Sequence, residues 1–120
     1  MLRPEGEGLR VYLHRAPVDM RLQRTGLASR VQGAMGRDPF AGGAIFAFIG
    51  KRYDRIKLLA WDTNGFVLWY KVIESREKFC WPRGADTDVI TLTMEQLNWL
   101  LDGYDVFRQP HRYLQLAYAG

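Results

Sequence analysis

The dipeptide Asn64-Gly65, set between two apolar runs, constrains this chain more than any other feature. A two-residue type I′ turn needs φ > 0 at both central positions, and Asn-Gly meets that need at little steric cost. It predicts a hairpin tip there, with arms from Arg55 to Trp61 and from Phe66 to Glu74. In that register Trp61 opposes Leu68, Leu59 opposes Tyr70 and Arg55 opposes Glu74. One face then carries Ile56, Leu58, Ala60, Val67, Trp69, Lys71 and Ile73. The other carries Leu59, Trp61, Phe66, Leu68, Tyr70 and Val72, with Arg55, Lys57 and Glu74 toward the open end. An even slip of register moves the pairs and keeps the faces. Both faces are apolar near the tip, whereas a sheet wetted on one side alternates cleanly. Both are therefore expected to be covered, by helices or by another chain.

The rest of the chain supplies partners for this hairpin. Ile45 to Ile49 is a short β-forming run that leads into it, giving an antiparallel meander. Lys78 to Trp81, ended by Pro82, reads as another short strand, as does Val89 to Leu92. Leu9 to His14 alternates Leu9, Val11 and Leu13 against Arg10, Tyr12 and His14, a strand half-buried on one face. Asp19 is placed to cap a helix running to about Met35, with Met20, Leu27, Val31 and Ala34 on one face. Residues 36–43, with three glycines and Pro39, form a loop. Thr93-Met94-Glu95-Gln96 is a capping box that opens a second helix with Leu97, Leu100 and Leu101 on its apolar side, and Gly103 stops it. The expected fold is α+β: an antiparallel β-meander sheet of about five strands with two helices. Residues 1–107 form one domain. Residues 108–120 form a C-terminal tail without a convincing period, and residues 1–8 are expected to be loose.

Composition limits the function classes. A chain of 120 residues with 48% hydrophobic content is sized for one core. It has no apolar run of the length that crosses a bilayer and no signal-peptide pattern at its start. The lone Cys80 excludes an internal disulfide and a cysteine-based zinc site. A cytoplasmic protein without a membrane partner is expected. Residues 1–60 carry eleven Lys/Arg and five Asp/Glu, and residues 61–120 carry six and eight, so the net charge of +4 lies in the first half. A basic half suits an acidic partner, of which nucleic acid is the commonest.

One local cluster stands out as a candidate site. In Gly50-Lys51-Arg52-Tyr53-Asp54-Arg55-Ile56-Lys57, four cations surround a tyrosine. Lys and Arg bind phosphates, and Tyr stacks on a base or hydrogen-bonds a phosphate. Lys51, Arg52, Tyr53, Arg55 and Lys57 are the expected nucleic-acid contacts. The same residues also read as an ordinary charged hairpin corner, partly neutralised by Asp54 and Glu74. Catalytic signals are absent: His14 and His111 lack metal-ligand spacing, and Asp19, Asp38, Asp54 and Asp62 each have a turn, cap or pairing role. No enzyme activity, metal or cofactor is expected.

Several motifs together carry a resemblance. They are Asp19-Met20-Arg21 with Gly26-Leu27-Ala28, Asp38-Pro39-Phe40 with Gly42, and the run DRIKLLAWDTNGFVLWYK from Asp54 to Lys71. Phe79, Trp81-Pro82, Leu92-Thr93, Gln96-Leu97 and Leu100-Leu101-Asp102-Gly103 complete them. In register from about Leu9 to Phe107, the chain resembles the small transposase accessory protein, the Orf2 product, of the insertion sequence sixty-six family of bacterial mobile elements. Its departures are Leu22-Gln23-Arg24-Thr25, where the family usually has Lys-Gly/Ser-Phe-Asp, and Val72, where Arg is usual. The resemblance implies a non-enzymatic accessory role in DNA transposition, beside a larger DDE-type transposase, and supplies no catalytic residues. A protein–protein adaptor or homodimer without DNA contact is the alternative.

Overall fold

The computed structural model describes residues 8–83 and 86–107; the expected loose N-terminus, save Gly8, and the 108–120 tail lie outside the described residues. Five strands form one sheet: β1 (Arg10–His14), β2 (Ala44–Ile49), β3 (Arg55–Asp62), β4 (Gly65–Val72) and β5 (Val89–Thr93). Two helices accompany them, α1 (Arg24–Gln32) between β1 and β2, and α2 (Met94–Leu101) after β5. The lateral order is β4-β3-β2-β1-β5. The expected meander is β2-β3-β4, and every strand pair but one is antiparallel. The exception is β1–β2, which run parallel. A parallel pair needs a long crossover, and the α1 segment supplies it.

The hairpin forms, one residue earlier than the Asn-Gly signal suggests. Asp62 pairs with Gly65 and Trp61 with Phe66, so Thr63 and Asn64 make the tip and Gly65 opens β4. Thr63 takes the left-handed conformation, at φ 51°, and the Asn64 N–H donates to the Asp62 carbonyl. The register differs from the expected one by an even step, so the two faces survive. Leu59, Phe66 and Leu68 lie in the layer of α1, with Phe46, Phe48, Leu27 and Val31. Ile56, Leu58, Ala60, Trp69 and Ile73 lie in the layer of α2, with Leu97, Leu100, Leu101 and Phe79. Helices cover both faces, and all six residues of β2 are buried between them.

Two expected elements are corrected. The first helix is much shorter than Asp19 to Met35. Val18 bridges to Gly50, its N–H donating to the Ile49 carbonyl at 2.8 Å, which holds residues 18–22 against the sheet end. Asp19 spends its carboxylate on the Arg21 N–H and guanidinium instead of on a helix start. The helix therefore opens at Arg24 after Gln23, with no side-chain cap. The second correction is Lys78 to Trp81, which forms no strand. Phe79 and Trp81 are buried and share a parity, which mimics a strand signal. Their hydrogen bonds go elsewhere: Phe79 N–H to Tyr53 O at 2.7 Å, Trp81 N–H to Phe79 O and Trp81 Nε1 to Arg15 O. At the second helix the capping box forms as read, with Gln96 N–H donating to Thr93 Oγ1 and Thr93 N–H to Gln96 Oε1.

The ladder fixes which way each strand's backbone points. Ile73 N–H donates to Asp54 O, in register with β3–β4, and Gly50 N–H donates to Arg55 O, in register with β2–β3. Directly bonded pairs alternate along an antiparallel ladder. Odd residues of β4 thus bond to β3, while Phe66, Leu68, Tyr70 and Val72 turn their N–H and C=O to the open edge.

Candidate nucleic-acid interface

The basic cluster begins as a tight turn. Tyr53 N–H donates to Gly50 O at 2.9 Å, leaving Lys51 and Arg52 as the exposed central residues. Tyr53 closes the turn in the left-handed region, at φ 61°, and its carbonyl is bound by Phe79 N–H. Gly50 has a reason to be glycine: a Cβ there would lie 2.7 Å from Met20 Cγ. That close approach seats the Val18–Arg21 segment beside the turn.

The result is a cleft of about 380 Å³ lined by Val18 to Arg21, Gly50 to Arg52, Asp54 and Arg55. Four cations, Arg21, Lys51, Arg52 and Arg55, meet two carboxylates in it. Arg21 pairs with Asp19 at 2.6 Å, and Arg55 Nε lies 3.7 Å from Asp54 Oδ1. The Asp19 carboxyl is held well below the usual carboxylate range, chiefly by the hydrogen bond from Arg21, so both charges of that pair persist across ordinary pH. Lys51 and Arg52 have no ion-pair partner among the described residues. The cleft carries a surplus of positive charge that no described side chain neutralises.

The five expected contact residues separate in space. Lys51 and Arg52 are exposed at the rim. Arg55 is half-exposed and donates from Nη1 to the Tyr70 hydroxyl at 3.2 Å. Tyr53 is half-buried, and the Arg83 guanidinium lies 3.7 Å from its ring centroid, so that ring face is already occupied. Lys57 lies apart from the others. It is 3% exposed, its Nζ donates to Leu22 O at 2.8 Å and lies over the Tyr70 ring, and burial lowers its pKa. A lysine under the Leu22 backbone cannot reach a polyanion on the surface. Its neighbour in parity, Arg55, lies one step nearer the sheet end, beyond the covering loop.

Arg21 is the residue that sequence reasoning missed. In the sequence it falls within the expected first helix, and its proximity to Lys51 depends on the Val18–Gly50 bridge, which no local pattern signals. A second depression of about 310 Å³ lies on the α1 side, lined by Arg10, Tyr12, Arg37 and Asp38 among others, with Arg37 4.2 Å from the Tyr12 ring centroid. Among the described residues no group of three His, Cys, Asp or Glu could hold a metal ion, and no helix is long and apolar enough to cross a membrane.

The fold and this cleft define a small α+β domain with a basic depression at one end of its sheet and an apolar strand at one edge. The family model described as IS66 Orf2 like protein matches residues 9–111, and the chain belongs to that family. The family's role is an accessory one associated with transposition. Two relatives from Sinorhizobium fredii (strain NBRC 101917 / NGR234) are similar along most of their length. The uncharacterized protein y4jC is 37% identical over 106 residues, covering 86% of this chain and 88% of the relative. The uncharacterized protein y4hO is 34% identical over 107 residues, covering 89% and 90%. No solved structure matches the chain.

Proposed function

We propose that this protein is a non-enzymatic, cytoplasmic accessory factor for DNA transposition that binds DNA phosphates through the Arg21, Lys51, Arg52 and Arg55 cleft, beside a larger transposase. The observation that carries this reading is the convergence of two separate segments on one surplus of positive charge. Side chains of this kind fix a protein on the phosphate backbone and carry little sequence information. The expected binding is salt-sensitive and similar across DNA sequences.

The test is a salt titration of DNA affinity for wild type, Lys51→Ala/Arg52→Ala and Lys57→Met. Each lost phosphate contact lowers the slope of log K against log salt by about 0.9, so the double variant is expected to lose roughly 2. Lys57→Met is expected to keep the wild-type slope, since its amine is bound under Leu22. Equal slopes for wild type and the double variant, or no binding at low salt, would overturn the reading. The adaptor reading has its own observation: Phe40, Trp61 and Phe66 form a cluster with centroids 5.0–5.3 Å apart, and Phe40 is 50% exposed. Co-purification with the larger transposase in the absence of DNA binding would favour it.

A further inference from the structure

The open edge of β4 is the surface with the most definite requirement. Phe66, Leu68, Tyr70 and Val72 turn their N–H and C=O groups outward, and none of these groups has a hydrogen-bond partner among the described residues. Edge strands are usually blunted by shortness, proline, a bulge or charge. β4 is eight residues long, pairs with β3 without a break and contains no proline. Its one charged residue, Lys71, is of the inward-bonding set and donates from Nζ to Leu101 O at 2.7 Å. All four outward residues are uncharged, and Tyr70 is 50% exposed.

We propose that this edge pairs antiparallel with β4 of a second copy of the chain, joining two sheets into one of ten strands. The strand is its own complement. In the register that sets Trp69 opposite the partner's Trp69, Phe66 meets the partner's Val72 and Leu68 meets the partner's Tyr70. Every outward N–H and C=O is then bonded. Slipping by two residues in either direction leaves an outward residue of β4 without a β4 partner, and an odd slip sets outward groups against inward ones. No like charges face each other, because Lys71 stands opposite the partner's Val67. Apolar and aromatic cross-strand pairs of this kind add to the backbone bonds. A two-fold axis is the commonest symmetry of soluble homo-oligomers, and one self-complementary strand suffices for it. The axis runs perpendicular to the sheet, so both α1 layers and both basic clefts lie on one face. From strand spacing and rise, the two Arg55 positions stand about 25 Å apart.

The test uses the wild-type chain under reducing conditions, so that Cys80 forms no disulfide. Sedimentation at micromolar concentration is expected to give twice the 13.9 kDa chain mass. Amide hydrogen exchange is expected to slow by about tenfold or more at Phe66, Leu68, Tyr70 and Val72 between dilute and concentrated protein. Tyr70→Pro, which replaces an outward N–H and spares the β3 ladder, is expected to sediment as a monomer. Four results would overturn the proposal. These are a wild-type monomer at about 100 µM, a dimer whose four amides stay unprotected, protection independent of concentration, and protection that appears only when the larger transposase is added. Should Tyr70→Pro fail to fold, the wild-type measurements decide alone.

Discussion

The two edges of the sheet have opposite fates. On β5, the register with β1 and the Arg15 N–H to Asp88 O bond turn Val89, Thr91 and Thr93 outward. Half of its outward groups are already bound. Thr93 N–H is bound by Gln96, Thr93 opens α2, and the Val89 carbonyl accepts from Thr87 Oγ1 at 2.9 Å. Among the described residues, the Thr91 groups and the Val89 N–H have no partner. On β4 all four outward residues stay open among the described residues. A capping box thus does two jobs at β5: it starts a helix and closes an edge. No helix follows β4 directly, so nothing local closes it. The lesson is that an edge strand is finished by what its sequence neighbours do next, more than by its own propensity.

Proline substitutions break this contrast most strongly. Val67→Pro removes an N–H that bonds to β3 inside the ladder and is expected to be strongly destabilising. Thr91→Pro removes an outward N–H at an edge, where proline is tolerated, and is expected to cost much less. Urea unfolding of the two variants checks it. Equal losses would show that the inward and outward assignment is wrong.

Loss of the β5 cap is the next largest effect. Thr93→Ala deletes the hydroxyl that accepts from Gln96 N–H and is expected to cost about 1 kcal/mol in the same unfolding assay. A loss within error of zero would mean that α2 does not need the Thr93 hydroxyl, and that the Gln96 side chain alone closes the edge at residue 93.

The smallest effect is set by pH, at β1, next to β5. His14 Nδ1 lies 2.7 Å from Ala16 O, its Nε2 has no hydrogen-bond partner among the described residues, and burial pushes its pKa below the usual 6.5. Arg30 lowers it further, while the Ala16 bond and Asp88 oppose the shift. Above pH 6.5 the ring is neutral in both states and adds no pH dependence. As pH falls below 6.5 the unfolded chain takes up a proton that the folded chain resists, so stability declines until the folded pKa is passed. Wild type is expected to lose more stability than His14→Gln between pH 7 and pH 5. Parallel losses in the two proteins would remove His14 as the cause.

Much of the fold was legible in the sequence. The hairpin, its two apolar faces, the meander and the Thr93 capping box could be read because each is a local device, carried by turn chemistry, period-two alternation or a three-residue spacing. The family could be read from the Asp54–Lys71 run and its companions. The candidate site was legible in part. Lys51 and Arg52 fall on a turn whose exposure follows from its composition. Lys57 did not behave as its neighbours suggested. Alternation puts Arg55 and Lys57 on one face, but it cannot say that Leu22 will lie across one of them.

What the sequence by itself determined is therefore what neighbours along the chain can enforce: strands, faces, the α2 start and a basic turn. Tertiary structure decided the rest. It set β1 parallel to β2, drew residues 18–22 out of the first helix, delivered Arg21 to Lys51 and Arg52, and buried Lys57. Each depends on the Val18–Gly50 contact or on the crossover that allows it, between residues about thirty positions apart. The physical reason is that backbone groups and apolar surface are satisfied by whatever lies nearby in space. Local pattern fixes what a segment needs, and only the packed fold chooses which distant segment supplies it.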